Sequence, residues 1–164
     1  MLYTNNKSLR AARKGGFEQV SEVMHVYRKI KGKGAKRKLE VRKLTLKQLK
    51  TDLLRRKDSL LPYKYRVIKP SLPLLISFQK NNELLSFKDS TFIFTKENKR
   101  AYFAIIKGAP KKTLSLIVAK AREDKISLLE GLLPCSPRYF RASKELGFSR
   151  SRWGRNLIVF QKET

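Results

Sequence analysis

The sequence predicts an α+β fold: two N-terminal helices joined by a basic loop, then a mainly antiparallel sheet with two further helices. Three observations carry this expectation. Apolar residues recur at helical spacing over 16–30 and 45–58. From Tyr63 onward, short strand-like runs alternate with polar turns. Hydrophobic residues make up 41% of the 164. That is ordinary globular usage, so a core can form despite the charge. No internal repeat or heptad run is present.

The elements follow in order. Phe17, Val20, Val23, Met24, Tyr27 and Ile30 form one apolar stripe, with Gly15 and Gly16 before it and Gly32 after it, which predicts a helix over 16–30. Residues 31–38 carry five positive charges and two glycines, the pattern of a flexible basic loop. Leu39, Val41 and Leu44 alternate with charges and predict a short extended segment. Thr45 can cap a second helix running to about Asp58, with Leu46, Leu49, Leu53 and Leu54 on one side. Pro62 stops any continuation. Strands are predicted at 65–68, 74–78, 91–95, 102–106, 114–119 and 156–160, the third and fourth forming a hairpin about the polar stretch 96–100. Helices are predicted over 121–133, ended by Pro134, and from Ser136-Pro137 to Gly147. The chain divides at about residue 62 into a basic helical region, 1–62, and a β-rich globular part, 63–164, unless the two form one continuous domain.

Charge is the dominant feature. Lys and Arg number 39 against 13 Asp and Glu, a formal net charge of +26. Residues 1–80 hold 22 basic and 5 acidic side chains (+17), leaving 17 and 8 (+9) for residues 81–164. Such a chain repels itself and attracts polyanions, nucleic acid first among them. The single cysteine excludes an internal disulfide. No run reaches the ~18 apolar residues of a membrane span. The start carries no apolar core of a secretory signal.

The candidate contact residues fall in clusters. Lys31, Lys33, Lys36, Arg37, Lys38, Arg42 and Lys43 place seven charges within 13 residues, opposed by Glu40 alone. Lys47, Lys50, Arg55 and Arg56 extend this along the second helix. Near the C-terminus, Arg150, Arg152 and Arg155 surround Trp153. Arginine forks match phosphate oxygens, and both Arg and Trp stack on unpaired bases. The same residues also read as a solvated turn with Trp153 at the sheet edge. Arg138 and Arg141 share a helix face by their spacing and can extend the patch.

Residues with catalytic potential are sparse. His25 is the only histidine and reads as an ordinary side chain on the first helix, since no metal-ligand spacing surrounds it. Cys135 reads either as a thiol activated by a helix N-terminus or, better, as a small buried apolar residue. Glu123 and Asp124 read as acids complementing the start of a helix. Gly32 and Gly34 lack the spacing of a phosphate loop. No catalytic residue, metal or cofactor is expected on these grounds.

Two resemblances add to this reading. In composition the chain resembles ribosomal proteins: small, very basic, with a glycine–lysine extension. The stretch Tyr139-Phe-Arg-Ala-Ser-Lys-Glu-Leu-Gly-Phe148, followed by a turn and Leu157-Ile-Val-Phe, resembles the end of an N-acetyltransferase domain. There a helix reaching a Gly-Phe pair precedes the last strands. That resemblance implies acyl transfer from acyl-CoA and a Gly-x-Gly pyrophosphate loop after a central strand. No such loop follows Leu114–Ala119.

The main expectation is a non-enzymatic RNA-binding component of a large ribonucleoprotein, a ribosome above all. Its partners would be RNA rather than DNA and neighbouring proteins of the assembly, in the cytoplasm or an organelle. The excess of Lys over Arg, 24 to 15, suits an AT-rich organellar genome. One alternative is a DNA-binding protein of phage or mobile-element type. A second is a divergent acyltransferase acting on a nucleic acid or basic partner.

Overall fold

The computed structural model describes residues 2–3, 10–11, 14–15, 17–32, 39–54, 61–64, 66–68, 70–151 and 157–162. In chain order these form β1 (Leu2–Tyr3), β2 (Phe17–Lys29), α1 (Leu46–Leu54), the hairpin β3 (Leu61–Tyr63) and β4 (Arg66–Ile68), and α2 (Leu72–Lys80). Then come β5 (Leu84–Phe87), β6 (Ser90–Glu97), β7 (Arg100–Lys107), α3 (Pro110–Glu123), β8 (Leu128–Pro134), α4 (Pro137–Glu145), β9 (Ser149–Arg150) and β10 (Leu157–Lys162). The fold is α+β, as the sequence predicts.

One sheet of eight strands organises the molecule, in the order β1-β10-β2-β8-β7-β6-β5, with β9 also paired to β2. Every pairing in it is antiparallel except β7 with β8. A parallel neighbour needs a crossover, and α3 supplies it. Side chains alternate across β7. Ala101, Phe103 and Ile105 join one core with Leu114, Ile117, Val118 and Ala121 of α3 and Ala142 of α4. Ala104 and Ile106 join the opposite core with Leu49 of α1 and Leu75 and Phe78 of α2. The sheet therefore carries helices on both faces.

The hairpin β6–β7 follows the alternation in the sequence, and its turn uses Asn98 in the left-handed region (φ 56). The helix from Ser136 also stands as predicted. The Ser136 hydroxyl accepts from the Tyr139 amide at 3.4 Å, and Gly147 follows at φ 70. On α1, Thr45 and Gln48 form a reciprocal capping box, Thr45 N to Gln48 Oε1 at 2.8 Å and Gln48 N to Thr45 Oγ1 at 3.3 Å.

Four predicted elements are different. The helix over 16–30 is strand β2. Val23, Met24, His25 and Val26 are all buried, so no polar alternation marks the strand, and apolar spacings of three and four mimic a helix. The strand at 74–78 is helix α2, which Ser71 caps by accepting from Leu74 N at 3.4 Å, with a proline in its first turn. The strand at 114–119 lies inside α3. There Leu114, Ile117, Val118 and Ala121 fall at i, i+3, i+4 and i+7 and are buried. The helix over 121–133 is the end of α3 followed by β8, whose residues from Leu129 to Leu133 are buried together. Leu39–Leu44 is extended and touches the sheet through one bridge, Arg42 to Ser86. Pro62 lies in β3 rather than ending a helix.

Candidate active site

The parallel pairing of β7 and β8 is short. It runs from Arg100 opposite Leu128 to Phe103 opposite Gly131 and then stops. Both strands continue, β7 to Lys107 and β8 to Pro134. Beyond Phe103, β7 stays with β6, while β8 stays with β2. The sheet therefore opens into a cleft at the C-terminal ends of its two parallel strands, where open α/β sheets bind ligands. Phe103 fixes the point of opening. A Cβ at Gly131 would lie 2.5 Å from Phe103 Cζ, so the ring occupies the space a side chain at 131 would need. Phe148 packs edge-on against the same ring at 5.8 Å.

At this level, on the opposite face, lie His25 and Glu130. Glu130 pairs with Tyr102, one step before the last parallel pair, and His25 is opposite Leu132. The His25 Nε2 is 3.6 Å from Glu130 Oε1, and both residues are buried, at 4% and 8% exposure. Burial lowers the imidazole pKa and the Glu130 charge opposes it, leaving the net value below 6.5. The ring is thus neutral at pH 7 and can accept a proton. The β3–β4 hairpin covers this side: β3 contacts both β7 and β8, and Lys64 Nζ stands 5.3 Å from the Tyr102 ring centroid. His25 is thus a buried strand residue rather than an ordinary position on a helix.

The mouth of the cleft is formed by the turn from β7 into α3. Gly108 has φ +124, and a Cβ there would meet Thr113 Oγ1 at 2.3 Å and Ser90 Oγ at 2.7 Å. Only glycine fits. Ala109 is the N-cap of α3 and offers no side-chain acceptor. Pro110 has no N–H and Thr113 N donates to Ala109 O, so the amides of Lys111 and Lys112 are the first-turn donors left for an anion, which the helix dipole favours. Between this turn and α4 lies a cleft of about 380 Å³ lined by Ala109, Pro110, Lys111, Pro137, Arg138, Arg141, Ala142 and Glu145. Glu145 is engaged by Lys111 at 2.7 Å, and that contact holds its carboxyl below the usual carboxylate range.

The predicted contact residues divide accordingly. Arg138 and Arg141 line the cleft beside α3. Arg42, Lys43 and Lys47 line a separate groove between α1 and the β5–β6 turn. Lys50 is exposed on α1, Lys31 is exposed after β2 and Arg150 is exposed on β9. Lys33, Lys36, Arg37, Lys38, Arg55, Arg56, Arg152, Trp153 and Arg155 lie outside the described residues. Cys135 is an exposed residue rather than a buried one. The chain around its thiol pushes the pKa up, against the pull of Arg150, opposite to what a nucleophile needs. Glu123 and Asp124 end α3 rather than starting a helix. There Lys120 Nζ holds both carboxylates at 3.0 Å.

No protein-family model and no curated protein sequence matches the chain. Solved structures do. A GCN5-related N-acetyltransferase from Sphaerobacter thermophilus superposes with a TM-score of 0.58 at 11% identity, covering 99% of this chain and 58% of that one. A protein of Thermoplasma acidophilum assigned as an acetyltransferase gives 0.51 at 13% identity, covering 98% and 52%. The chain has the acetyltransferase fold. It spans a little over half the length of each structure it matches.

This finding overturns the expectation of a ribosomal, RNA-binding component, because the two solved structures that share the fold are of a GCN5-related N-acetyltransferase and of a protein assigned as an acetyltransferase, not of ribosomal or RNA-binding proteins. Charge was the wrong guide, since it reports on partners and solubility but not on fold. It also relocates the search for a phosphate loop. Leu114–Ala119 is helical, so the turn preceding the crossover helix is Lys107-Gly108-Ala109-Pro110, with one glycine instead of a Gly-x-Gly.

Proposed function

We propose that this protein is an acyl-CoA-dependent N-acyltransferase. The observation that carries the reading is the parting of β7 and β8 after Phe103 and Gly131, with the His25–Glu130 pair buried at that level. In this reading the acyl thioester enters between the parted strands. The phosphates of CoA meet the uncapped amides of α3 together with Lys111, Arg138 and Arg141. The acceptor amine attacks the thioester carbonyl carbon, forming the C–N bond. The C–S bond breaks, and the thiolate leaves with its electron pair and takes a proton from solvent water. The proton lost by the amine passes to the neutral His25 imidazole, whose positive charge Glu130 stabilises. Lys111, Arg138 and Arg141 bind and orient; they take no part in proton transfer.

Calorimetric titration with acetyl-CoA tests the binding half of this reading. Release of free thiol from acetyl-CoA with a panel of primary amines tests the rest. The wild-type protein is expected to bind, and His25→Ala to bind equally while losing ~10²–10⁴-fold in turnover, the usual worth of a positioned base. Absence of acetyl-CoA binding would remove the proposal. Full turnover in a folded His25→Ala variant would remove the base.

A further inference from the structure

A second concavity lies on the other side of Lys107. It is a groove of about 350 Å³ whose charged lining is Arg42, Lys43, Lys47, Asp52, Lys88 and Lys107. That volume falls in the range of small-molecule sites, ~300–1,000 Å³. Five of the lining side chains are cationic and one is acidic. The acid, Asp52, is buried and engages Lys107 at 3.4 Å. No carboxylate among the described residues pairs with Arg42, Lys43, Lys47 or Lys88. Four cations without a carboxylate partner among the described residues, set around one concavity, repel one another and focus a positive potential into it.

The walls are held in place without a ligand. Arg42 N donates to Ser86 O at 2.9 Å. Leu44 is tied to Gln79 twice, by N–H to Oε1 at 3.1 Å and by its carbonyl to Nε2 at 3.0 Å. The capping box of Thr45 and Gln48 fixes the start of α1. Ser86 and Thr91 are buried beneath, with their hydroxyl oxygens 3.5 Å apart. A wall bearing an arginine fork, with lysines around it, suits a compact and highly charged anion.

We propose that this groove binds the phosphate group of a small phosphorylated ligand. Arg42 and Lys47 grip it from the α1 side and Lys88 from the β5–β6 turn. The inference stands on the groove alone and does not rest on the acyltransferase reading. CoA carries phosphates too, so the two sources must be told apart.

The test is calorimetric titration of the full chain with adenosine monophosphate and with inorganic phosphate, each with and without saturating CoA. The expected result is binding of both, unaffected by CoA. The double variant Arg42→Gln/Lys47→Gln is expected to weaken it at least tenfold, and Lys88→Gln at least threefold. Lys80→Gln, which removes an exposed charge at the end of α2, should leave it unchanged. If the double variant does not fold, Lys88→Gln carries the test by itself. Equal losses with Lys80→Gln would assign binding to net charge and overturn the site. Displacement by CoA would assign the groove to that molecule and overturn a separate ligand. Binding of neither probe would overturn the proposal, as would binding of a short oligonucleotide, titrated in the same way, without binding of the monophosphate.

Discussion

Below Phe103 and Gly131 the two parallel strands are joined; above them they part. The joined stretch is closely packed on its α3 side, with Ala101, Phe103 and Leu129 at 0% exposure, and carries Glu130 on the other side. The parted stretch ends in Lys107, Gly108 and an uncapped helix, with a basic concavity on either side. The same two strands thus spend one half on cohesion and the other half on holding groups apart. A ring against a bare backbone decides where one regime gives way to the other.

The largest effect should come from breaking the joined half. Phe103→Ala removes a fully buried ring and should cost ~3–5 kcal/mol in denaturant unfolding. Gly131→Ala is next. Its new methyl meets the Phe103 ring at 2.5 Å, so overpacking should cost ~1–3 kcal/mol, and Phe103→Leu in the same chain should recover part of that loss. The parted half can be probed by giving α3 the cap that α4 has. Ala109→Ser should stabilise the fold by ~1 kcal/mol while weakening acetyl-CoA binding, because the new hydroxyl competes for the amides. Equal or tighter binding would mean that those amides are not used.

The smallest expected effect is a slope. The His25 pKa is lowered in the folded chain, so the unfolded chain binds more protons near pH 6. Stability contributed by the neutral ring is therefore present above the unfolded pKa of about 6.5 and is lost as pH falls through it toward the lower folded value. His25→Gln should flatten that segment of a stability-versus-pH curve. An unchanged slope would assign it to other groups.

Legibility in the sequence followed the environment of each segment. The β6–β7 hairpin was readable because polar residues at 96–100 separate two runs of strand formers. The α4 helix was readable from Ser136, Pro137 and Gly147. Strands β2 and β8 were not, because Val23–Val26 of β2 and Leu129–Leu133 of β8 are buried on both faces and the alternation that marks a half-exposed strand is absent there. Helix α3 hid behind Ile117 and Val118, β-branched residues that burial against the sheet overrides. The C-terminal stretch that resembles an acetyltransferase covers only some 25 residues. The site itself was the least legible part. His25 and Glu130 meet only because β2 and β8 are neighbours, and nothing local to either residue announces the other. The basic groove was half visible: Arg42, Lys43 and Lys47 stood out as charge, but Lys88 comes from the β5–β6 turn and Lys107 from the end of β7.

The position of β2 also shapes how the chain reaches this state. It lies between β8 and β10, strands that follow it by roughly a hundred residues or more of chain. Ribosomal synthesis at ~5–20 residues per second therefore delivers β2 many seconds before either neighbour. Meanwhile it is a long strand with apolar residues on both faces and both edges bare, the kind of segment that pairs with a wrong copy. Closure needs distant contacts, which are slow to form. Yield during expression should therefore depend on temperature and on holding chaperones more than the equilibrium stability suggests.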